Sequence, residues 1–339
     1  MLRSVILAAA RNPRVERLIE TAPVTRDVVQ RFVAGTGLED ALRVGHELAG
    51  NGLAISLDYL GEDTQTPEQA EATRDEYVRA LTALADAGLT PATAEPAGES
   101  ARLTTEPAGQ LISVADEPDG RLASTADVSV KLSALGQRFD EKLAYGHARA
   151  ICAAALKAGA TVTLDMEDHN TTDSTLDILT RLRADFPDTG AVLQAYLRRT
   201  ESDCRELAGP GSRVRLCKGA YREPETVAYA TRLDVDKSYV RCLNILMSGE
   251  GYPMLATHDP RLIAIVEDRA KWFDRVPESF EFQMLYGVRP DEQTRLVGVG
   301  YTMRVYIPYG NQWYGYLMRR LAERPANVAF FARALASRG

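Results

Sequence analysis

The stretch DVSVKLSALG, residues 127–136, carries the pattern that decides the fold class. A short β-branched run ends in polar residues, and a helical pattern follows over 140–158. This unit occurs eight times, with its apolar runs at 52–61, 127–136, 161–168, 191–199, 214–221, 253–259, 280–287 and 303–310. Such near-continuous apolar runs are typical of parallel strands buried on both faces. Eight strand–helix units over roughly 250 residues or more predict an α/β fold of the (β/α)8 TIM-like barrel type, not an open doubly wound sheet.

The segments outside this pattern predict what surrounds the barrel. Residues 1–50 indicate two or three helices that form an N-terminal helical arm, and the catalytic barrel is expected over 51–339. Residues 93–117 are rich in Pro, Gly and Glu, which is typical of a flexible surface insertion. Pro260 stands where it would open the helix after the sixth strand.

Composition and charge exclude several classes of protein. The chain has 339 residues and a net charge of -7, so we expect no nucleic-acid partner. Its four cysteines lack CxxC spacing, which favours free thiols in a reducing cytosol over disulfides or a zinc site. The apolar run at 5–10 is too short for a signal peptide, and no window is long enough to cross a bilayer. We therefore expect a cytoplasmic protein, with a peripheral contact at the inner face of the plasma membrane left open.

Polar side chains mark the ends of all eight predicted strands. They are Asp58, Lys131, Asp165, Glu167, Asp168, Gln194, Tyr196, Arg198, Arg199, Arg215, Lys218, Tyr221, Thr257, His258, Asp259, Gln283, Tyr286 and Tyr306. In a (β/α)8 barrel the carboxyl ends of the strands form the catalytic face. The sequence therefore predicts an active site there.

Three of these polar positions allow more than one reading. Lys131 could form a structural ion pair with Asp165 from the next strand, act as a Schiff-base nucleophile, or clamp an anion. Arg215 is costly inside a barrel unless an anion or a carboxylate meets it. His258 is either structural or, with Asp165 and Glu167, a metal ligand, although the spacing is too loose to support a metal site.

Several common catalytic motifs are missing from the sequence. There is no GxGxxG after a strand, no GxxxxGK[ST], no HExxH and no GxSxG. A Rossmann dinucleotide site, a P-loop, a zincin and a serine hydrolase are therefore unsupported.

Seven motifs together resemble one enzyme family. VSVKLSALG, LDMED, LQAYLRRT, RLCKGAYREP, LATHDP, FEFQMLYGVRP and RVYIPYG followed by WYGYLMRRLAERPANV closely resemble the flavin-dependent proline dehydrogenases, above all the short monofunctional bacterial form. The resemblance runs from the helical arm to the last helix. It implies a distorted barrel with FAD across its top and the final helix placed over the active site.

The resemblance also implies a reaction. L-proline would lose a hydride to flavin N5, giving Δ1-pyrroline-5-carboxylate, and the electrons would pass to a membrane quinone. This is the first step of proline catabolism to glutamate. A separate pyrroline-5-carboxylate dehydrogenase would oxidise the product, and channelling to it would require a transient contact.

The resemblance assigns residues to the substrate. Arg319, Arg320 and Lys131 would bind the proline carboxylate, since arginine forks pair bidentately with such groups. Taken alone, the two arginines with Glu323 favour the interpretation of a solvated face with an ion pair. The resemblance implies that Glu323 would hold the guanidinium groups of Arg319 and Arg320 in place when substrate is absent. Tyr306, Tyr221 and Leu285 would form the pocket around the proline ring.

Other residues are assigned to chemistry and cofactor. Asp165 would orient Lys131 and tune the local charge, and Arg215 would lie near flavin N5. The expected FAD contacts are Met166, Gln194, Arg215, Lys218, Gly219, Ala220, Thr257 and His258, and no metal is expected. Arg222 stands where larger relatives often carry an aromatic residue, so the adenine end of FAD is expected to be held differently.

Two other functions remain open at the level of sequence. One is a Schiff-base aldolase or lyase that uses Lys131 or Lys218. The other is an amino-acid sensor that keeps the carboxylate clamp without a flavin, although the intact Arg215 and Gln194 positions argue against it.

Overall fold

The computed structural model describes residues 29–61, 64–90 and 126–323. The predicted insertion at 93–117 and most of the predicted arm therefore lie outside the described residues, as do the side chains of Arg319 and Glu323.

Eight parallel strands form a closed barrel in chain order, each paired with the next and the last paired with the first. They are β1 Ala54–Tyr59, β2 Asp127–Lys131, β3 Thr161–Asp165, β4 Gly190–Gln194, β5 Arg213–Cys217, β6 Tyr252–Ala256, β7 Glu281–Leu285 and β8 Met303–Tyr309. The prediction of a (β/α)8 barrel is confirmed.

Helices alternate with the strands. They are α1 Leu38–Gly50, α2 Pro67–Asp86, α3 Glu141–Ala158, α4 Thr172–Arg183, α5 Thr200–Leu207, α6 Arg232–Ser248, α7 Pro260–Trp272, α8 Pro290–Gly298 and α9 Trp313–Glu323. Short 3-10 turns occupy Leu132–Leu135, His169–Thr171 and Pro277–Ser279.

Local sequence explains where these helices begin. The Thr66 hydroxyl and the Gln69 side chain form a capping box at the start of α2. Asp140 accepts hydrogen bonds from the backbone N–H groups of Lys142 and Leu143, and so satisfies two donors that the first turn of α3 leaves open. Asp259 caps α7, and Pro260 opens that helix as predicted.

Along each strand, alternate side chains point to opposite faces of the barrel sheet. In β2, Val128 and Val130 belong to the apolar cluster between strands and helices. Asp127, Ser129 and Lys131 bond instead to residues of other strands: Asp127 and Lys131 to the neighbouring strand β1, and Ser129 to Arg215 of β5 across the barrel. The period of two along a strand places these three polar side chains on one face, so the barrel interior is ionic and hydrogen-bonded.

The outer layer of helices departs from that of a regular (β/α)8 barrel at helix α1. This helix packs against β8, β1 and α2, and its Leu38, Ala41 and Val44 join the main apolar core. This is the outer position that the helix after β8 would fill in a regular barrel. Helix α9, which follows β8, instead clusters through Leu317 with Leu60, the residue after β1. The last helix therefore lies at the carboxyl end of the barrel, as predicted.

Candidate active site

Lys131 lies at the centre of the candidate site. Its Nζ donates to Asp58 Oδ1 at 2.6 Å and lies 3.7 Å from Asp165 Oδ2. Asp58 is only 1% exposed. The ion pair with Asp165, one of the alternatives that the sequence left open for Lys131, is present, and the structure adds a closer carboxylate from β1. A lysine paired with a buried carboxylate lacks the apolar surroundings that activate a lysine nucleophile, which disfavours the Schiff-base role.

Asp165 is surrounded by donors. Arg215 Nη1 lies 2.7 Å from its Oδ1, the Ser129 hydroxyl donates to the same oxygen at 2.8 Å, and the Tyr306 hydroxyl donates to Oδ2 at 2.8 Å. Three donors and a nearby ammonium fill the acceptor positions of this carboxylate. This geometry favours an orienting role over that of a general base.

Arg215 is held by hydrogen bonds from Nε and Nη1 and by an ion pair at Nη2. Nε donates to Gln283 Oε1 at 2.5 Å, Nη1 donates to Ser129 and Asp165, and Nη2 lies 3.6 Å from Asp127 Oδ2. Burial acts to lower the pKa of Arg215, but the carboxylates of Asp165 and Asp127 outweigh burial and raise it. The side chain is thus a permanent, immobile cation at β5.

Tyr306 closes this cluster from β8. The guanidinium carbon of Arg215 lies over the Tyr306 ring, 5.5 Å from the ring centroid. Lys131 Nζ lies 3.4 Å from the Tyr306 hydroxyl. Burial, followed by the charge of Asp165, raises the pKa of Tyr306 well above its ordinary value. The phenol therefore stays protonated and acts as a donor to Asp165.

A second ionic layer supports Arg215 from below. Asp127 accepts from Ser56 at 2.7 Å, and Glu281 binds Arg304 through both oxygens at 2.7 and 2.9 Å. Gln283 links the layers, since its Nε2 donates to Glu281 at 2.5 Å while its oxygen accepts from Arg215. The lower layer thus sets the orientation of the upper one.

Buried arginines keep both carboxylates of this lower layer ionised. Burial alone would raise the pKa of Asp127, but Arg213, Arg304 and Arg215 together lower it. For Glu281, Arg304 and Arg213 likewise overcome burial and lower the pKa. Charge pairs buried in this way are strongly destabilising when one partner is removed.

The remaining predicted substrate residues lie at different depths. Arg320 is half-buried, with its guanidinium carbon 5.2 Å from the Tyr316 ring centroid. Leu285 is half-buried at the end of β7. Tyr221 is 37% exposed on the loop after β5. Arg319 and Glu323 lie in α9, but their side chains are outside the described residues, so their predicted roles stay predictions.

Four predicted cofactor residues lie around β3, β4 and β6. Met166 and Gln194 are buried, and Gln194 Nε2 donates to the Glu167 carbonyl at 2.7 Å. The Thr257 hydroxyl accepts from the Asp259 N–H at 3.2 Å, which leaves its own proton as a donor. His258 Nε2 accepts from the Leu285 N–H at 2.9 Å, so the imidazole is oriented by the backbone of β7.

The metal interpretation of His258 has no support in the geometry. Glu167, one of its proposed partners, is bound through both oxygens by Ser133, at 3.0 Å to the backbone N–H and 2.6 Å to the hydroxyl. Across residues 29–61, 64–90 and 126–323, no three His, Cys, Asp or Glu side chains gather as metal ligands.

Lys218 is held by a ring of charges at the outer rim of the barrel. Its Nζ lies 2.5 Å from Asp236 and 3.0 Å from Asp259, and Arg261 bridges the same two carboxylates at 2.8 Å each. The hydrogen bond from Arg261 is the largest cause of the lowered pKa of Asp259, and Lys218 lowers that pKa further. Paired with two carboxylates, Lys218 lacks the apolar surroundings that activate a lysine nucleophile.

Gly219 and Ala220 follow on the same loop. Gly219 has a φ of +106°, and a Cβ there would lie 2.2 Å from the Tyr196 ring. The sequence interpretation assigned this glycine to a close approach of the flavin, and the close approach in the structure is to Tyr196. Ala220 is exposed.

The comparisons with known proteins decide the family. A sequence model described as proline dehydrogenase matches residues 41–333. Proline dehydrogenase 1 of Bacillus subtilis is 33% identical over 99% of both chains. The proline dehydrogenase of Deinococcus radiodurans is 35% identical over 99% of this chain and 98% of that one. The chain belongs to the proline dehydrogenase family.

Solved structures of larger members of the family share the fold. Proline utilization A of Bdellovibrio bacteriovorus, in a crystal structure described as inactivated by N-propargylglycine, superposes with a TM-score of 0.74 at 27% identity. The match covers 88% of this chain and 33% of that one, so this family member corresponds to about a third of the larger protein.

Sequence reasoning did not assign three residues to the site that the structure places there. Asp58 and Gln283 were noted at strand ends without a role, and Ser129 was not noted at all. The signal for Ser129 was its period-two spacing from Asp127 and Lys131, which places the three on one face of β2. For Asp58 and Gln283, only the closed barrel shows which side chains they meet.

Proposed function

We propose that the protein oxidises L-proline to Δ1-pyrroline-5-carboxylate with FAD as its cofactor. The observation that carries this is the cluster of Lys131, Asp165, Arg215 and Tyr306 at the carboxyl end of a barrel whose chain belongs to the proline dehydrogenase family. A fixed pair of cations, with a phenol and a carboxylate between them, suits a small substrate that carries its own carboxylate.

The residues present suit a flavin as well. FAD, when bound, supplies the hydride acceptor. Arg215 is a buried cation whose Nη2 makes no hydrogen bond within the described part of the chain, and a fixed positive charge stabilises an electron-rich flavin ring. Thr257 and Gln194 offer polar groups from β6 and β4, and Met166 offers an apolar surface.

Different side chains would bind the carboxylate and the ring of the substrate. Lys131 would pair with the proline carboxylate together with Arg319 and Arg320 of α9. Asp165 and Asp58 orient Lys131, while Tyr306 and Leu285 form walls of the ring pocket. The cations around the substrate disfavour the ammonium form of proline, and the neutral amine can stabilise positive charge as the hydride leaves.

The test is spectroscopic. The purified protein should show a flavin band at about 450 nm that bleaches when L-proline is added without oxygen. A colourless protein that FAD cannot reconstitute would contradict the proposal. Trapping of a carbonyl substrate by borohydride at Lys131 would favour the lyase reading instead, and an unbleached flavin would exclude proline oxidation.

The electron acceptor and partners form a further part of the proposal. A quinone would reoxidise the enzyme, and a separate pyrroline-5-carboxylate dehydrogenase would use the product. Within the described residues no helix has both the length and the apolar character needed to cross a membrane. Proline-dependent reduction of a soluble ubiquinone analogue, compared with oxygen consumption, tests the acceptor.

A further inference from the structure

The loop between β5 and α6, residues 218–231, carries three of the eight predicted FAD contacts and one wall of the predicted substrate pocket. Lys218, Gly219, Ala220 and Tyr221 follow one another at its start. Most of the loop lies at the surface, where a chain segment without regular structure gains little from burial. Its position over the barrel therefore needs specific contacts.

Glu223 makes such contacts in the middle of this loop. Its side chain is 4% exposed, although Glu225, two residues further on, is exposed. The carboxylate accepts from the backbone N–H of His169 at 3.0 Å and from the Tyr196 hydroxyl at 3.3 Å, and it is also in hydrogen-bond contact with the His169 imidazole. His169 follows β3 and Tyr196 follows β4, so one side chain ties the loop to two other strand ends.

Tyr196 supports the same arrangement from its other groups. Its N–H donates to the Lys218 carbonyl at 2.9 Å, and its carbonyl accepts from the Tyr229 N–H at 2.8 Å, so it bonds both ends of the loop. Gly219 lies against its ring, where any side chain would collide. Burial, and after it the charge of Glu223, raises the pKa of Tyr196, so the phenol remains the donor in the bond to Glu223.

We infer that Glu223 is a positioning residue that holds the β5–α6 loop in place for cofactor and substrate. A carboxylate suits this task because it accepts several hydrogen bonds at once, and bonds to a charged acceptor are stronger than those between neutral groups. The inference rests on the proposed function, since it gives the loop its purpose. It also addresses how FAD is held beside Arg222, the residue that precedes Glu223.

The experiment compares Glu223→Ala and Glu223→Gln with the matched loop variant Glu225→Ala. Hydrogen exchange is first measured in flavin-free protein, over peptides that contain the His169 and Tyr229 amides. FAD affinity, and kcat and KM for L-proline, are then measured separately. Loss of a charged hydrogen-bonded group implies an effect of about tenfold or more.

In Glu223→Ala we expect exchange at His169 and Tyr229 to quicken by about tenfold or more, with FAD affinity and KM weakened to a similar degree. Glu223→Gln keeps one carbonyl acceptor and should recover part of each loss, whereas Glu225→Ala should match the wild type. Exchange rates unchanged from Glu225→Ala would overturn the inference. Faster exchange with normal FAD affinity and normal KM would overturn it too, because the loop would then be held without serving the ligands.

Failure of the proposed function is distinguishable from failure of this inference. A wild-type protein that binds no FAD and does not oxidise proline would contradict the proposed function before any variant is compared. A wild type that does both, with Glu223→Ala behaving in the same way, would contradict the inference alone.

Discussion

At the scale of single residues, the site depends on partners that come from distant parts of the chain. Lys131 meets Asp58 across a sequence separation of 73 residues, and Tyr306 meets Asp165 across 141. The identity of Lys131 as a polar residue in an apolar strand was visible in the sequence. Its closer carboxylate was not, because two neighbouring strands, β1 and β3, both offer an aspartate.

Replacing Lys131 with Met separates the structural role of the lysine from its substrate role. The change leaves Asp58 without its ammonium, so we expect the free energy of unfolding to fall by about 3 kcal/mol. KM for L-proline should rise at least about tenfold, since a charged hydrogen bond to the carboxylate is lost. Denaturant unfolding and steady-state kinetics measure the two effects.

The double variant Asp58→Asn with Lys131→Met is the control for this prediction. It removes both charges and should regain part of the stability while KM stays high. A normal KM in the single variant would show that Lys131 serves only the ion pair with Asp58.

At the scale of elements, β2 and β7 carry two carboxylates of the barrel interior, and β5 and β8 carry the arginines that pair with them. Asp127 and Glu281 have ordinary pKa values of 3.8 and 4.5, and the surrounding arginines lower both in the folded protein. Carboxylates with lowered folded-state pKa values stabilise the fold above their unfolded-state pKa values. That stability is lost as the pH falls through the lower, folded-state values.

We therefore expect the free energy of unfolding to be steady above about pH 5 and to decline steadily below about pH 4.5. Asp127→Asn should be less stable at pH 7 and should show a shallower decline in acid, because one of the linked carboxylates is gone. Urea unfolding at a series of pH values measures both. Asp185→Asn, at a half-exposed surface pair with Arg149, is the matched control and should leave the slope unchanged. Equal slopes in Asp127→Asn and the wild type would contradict the role of Asp127.

At the scale of the whole molecule, α1 completes the layer of helices around the barrel. Helix α9 therefore lies at the active-site end. Leu38 of α1 is 2% exposed within the same core as the strands. The division into an arm at 1–50 and a barrel at 51–339 stays a prediction. The packing of α1 suggests a test, since a helix that completes this layer should unfold together with the barrel.

Leu38→Ala should lower the free energy of unfolding by about 3 kcal/mol, because it removes a buried side chain and leaves a cavity. Circular dichroism, together with the fluorescence of Trp272 and Trp313 on other helices, should report one shared transition shifted to lower denaturant. Leu156→Ala is the control, since that leucine of α3 is 68% exposed. A separate early transition would show instead that the arm unfolds independently of the barrel.

The sequence by itself determined the order of the elements, the barrel class and the family. Near-continuous apolar runs, Pro260 at the start of a helix and the seven motifs are local patterns, each set within a few neighbouring residues. Only the tertiary structure decided that Asp58 is the closer partner of Lys131, that Gln283 joins two ionic layers, and that Gly219 lies against Tyr196. These facts depend on closing eight strands into a ring, which brings together side chains that no local rule connects.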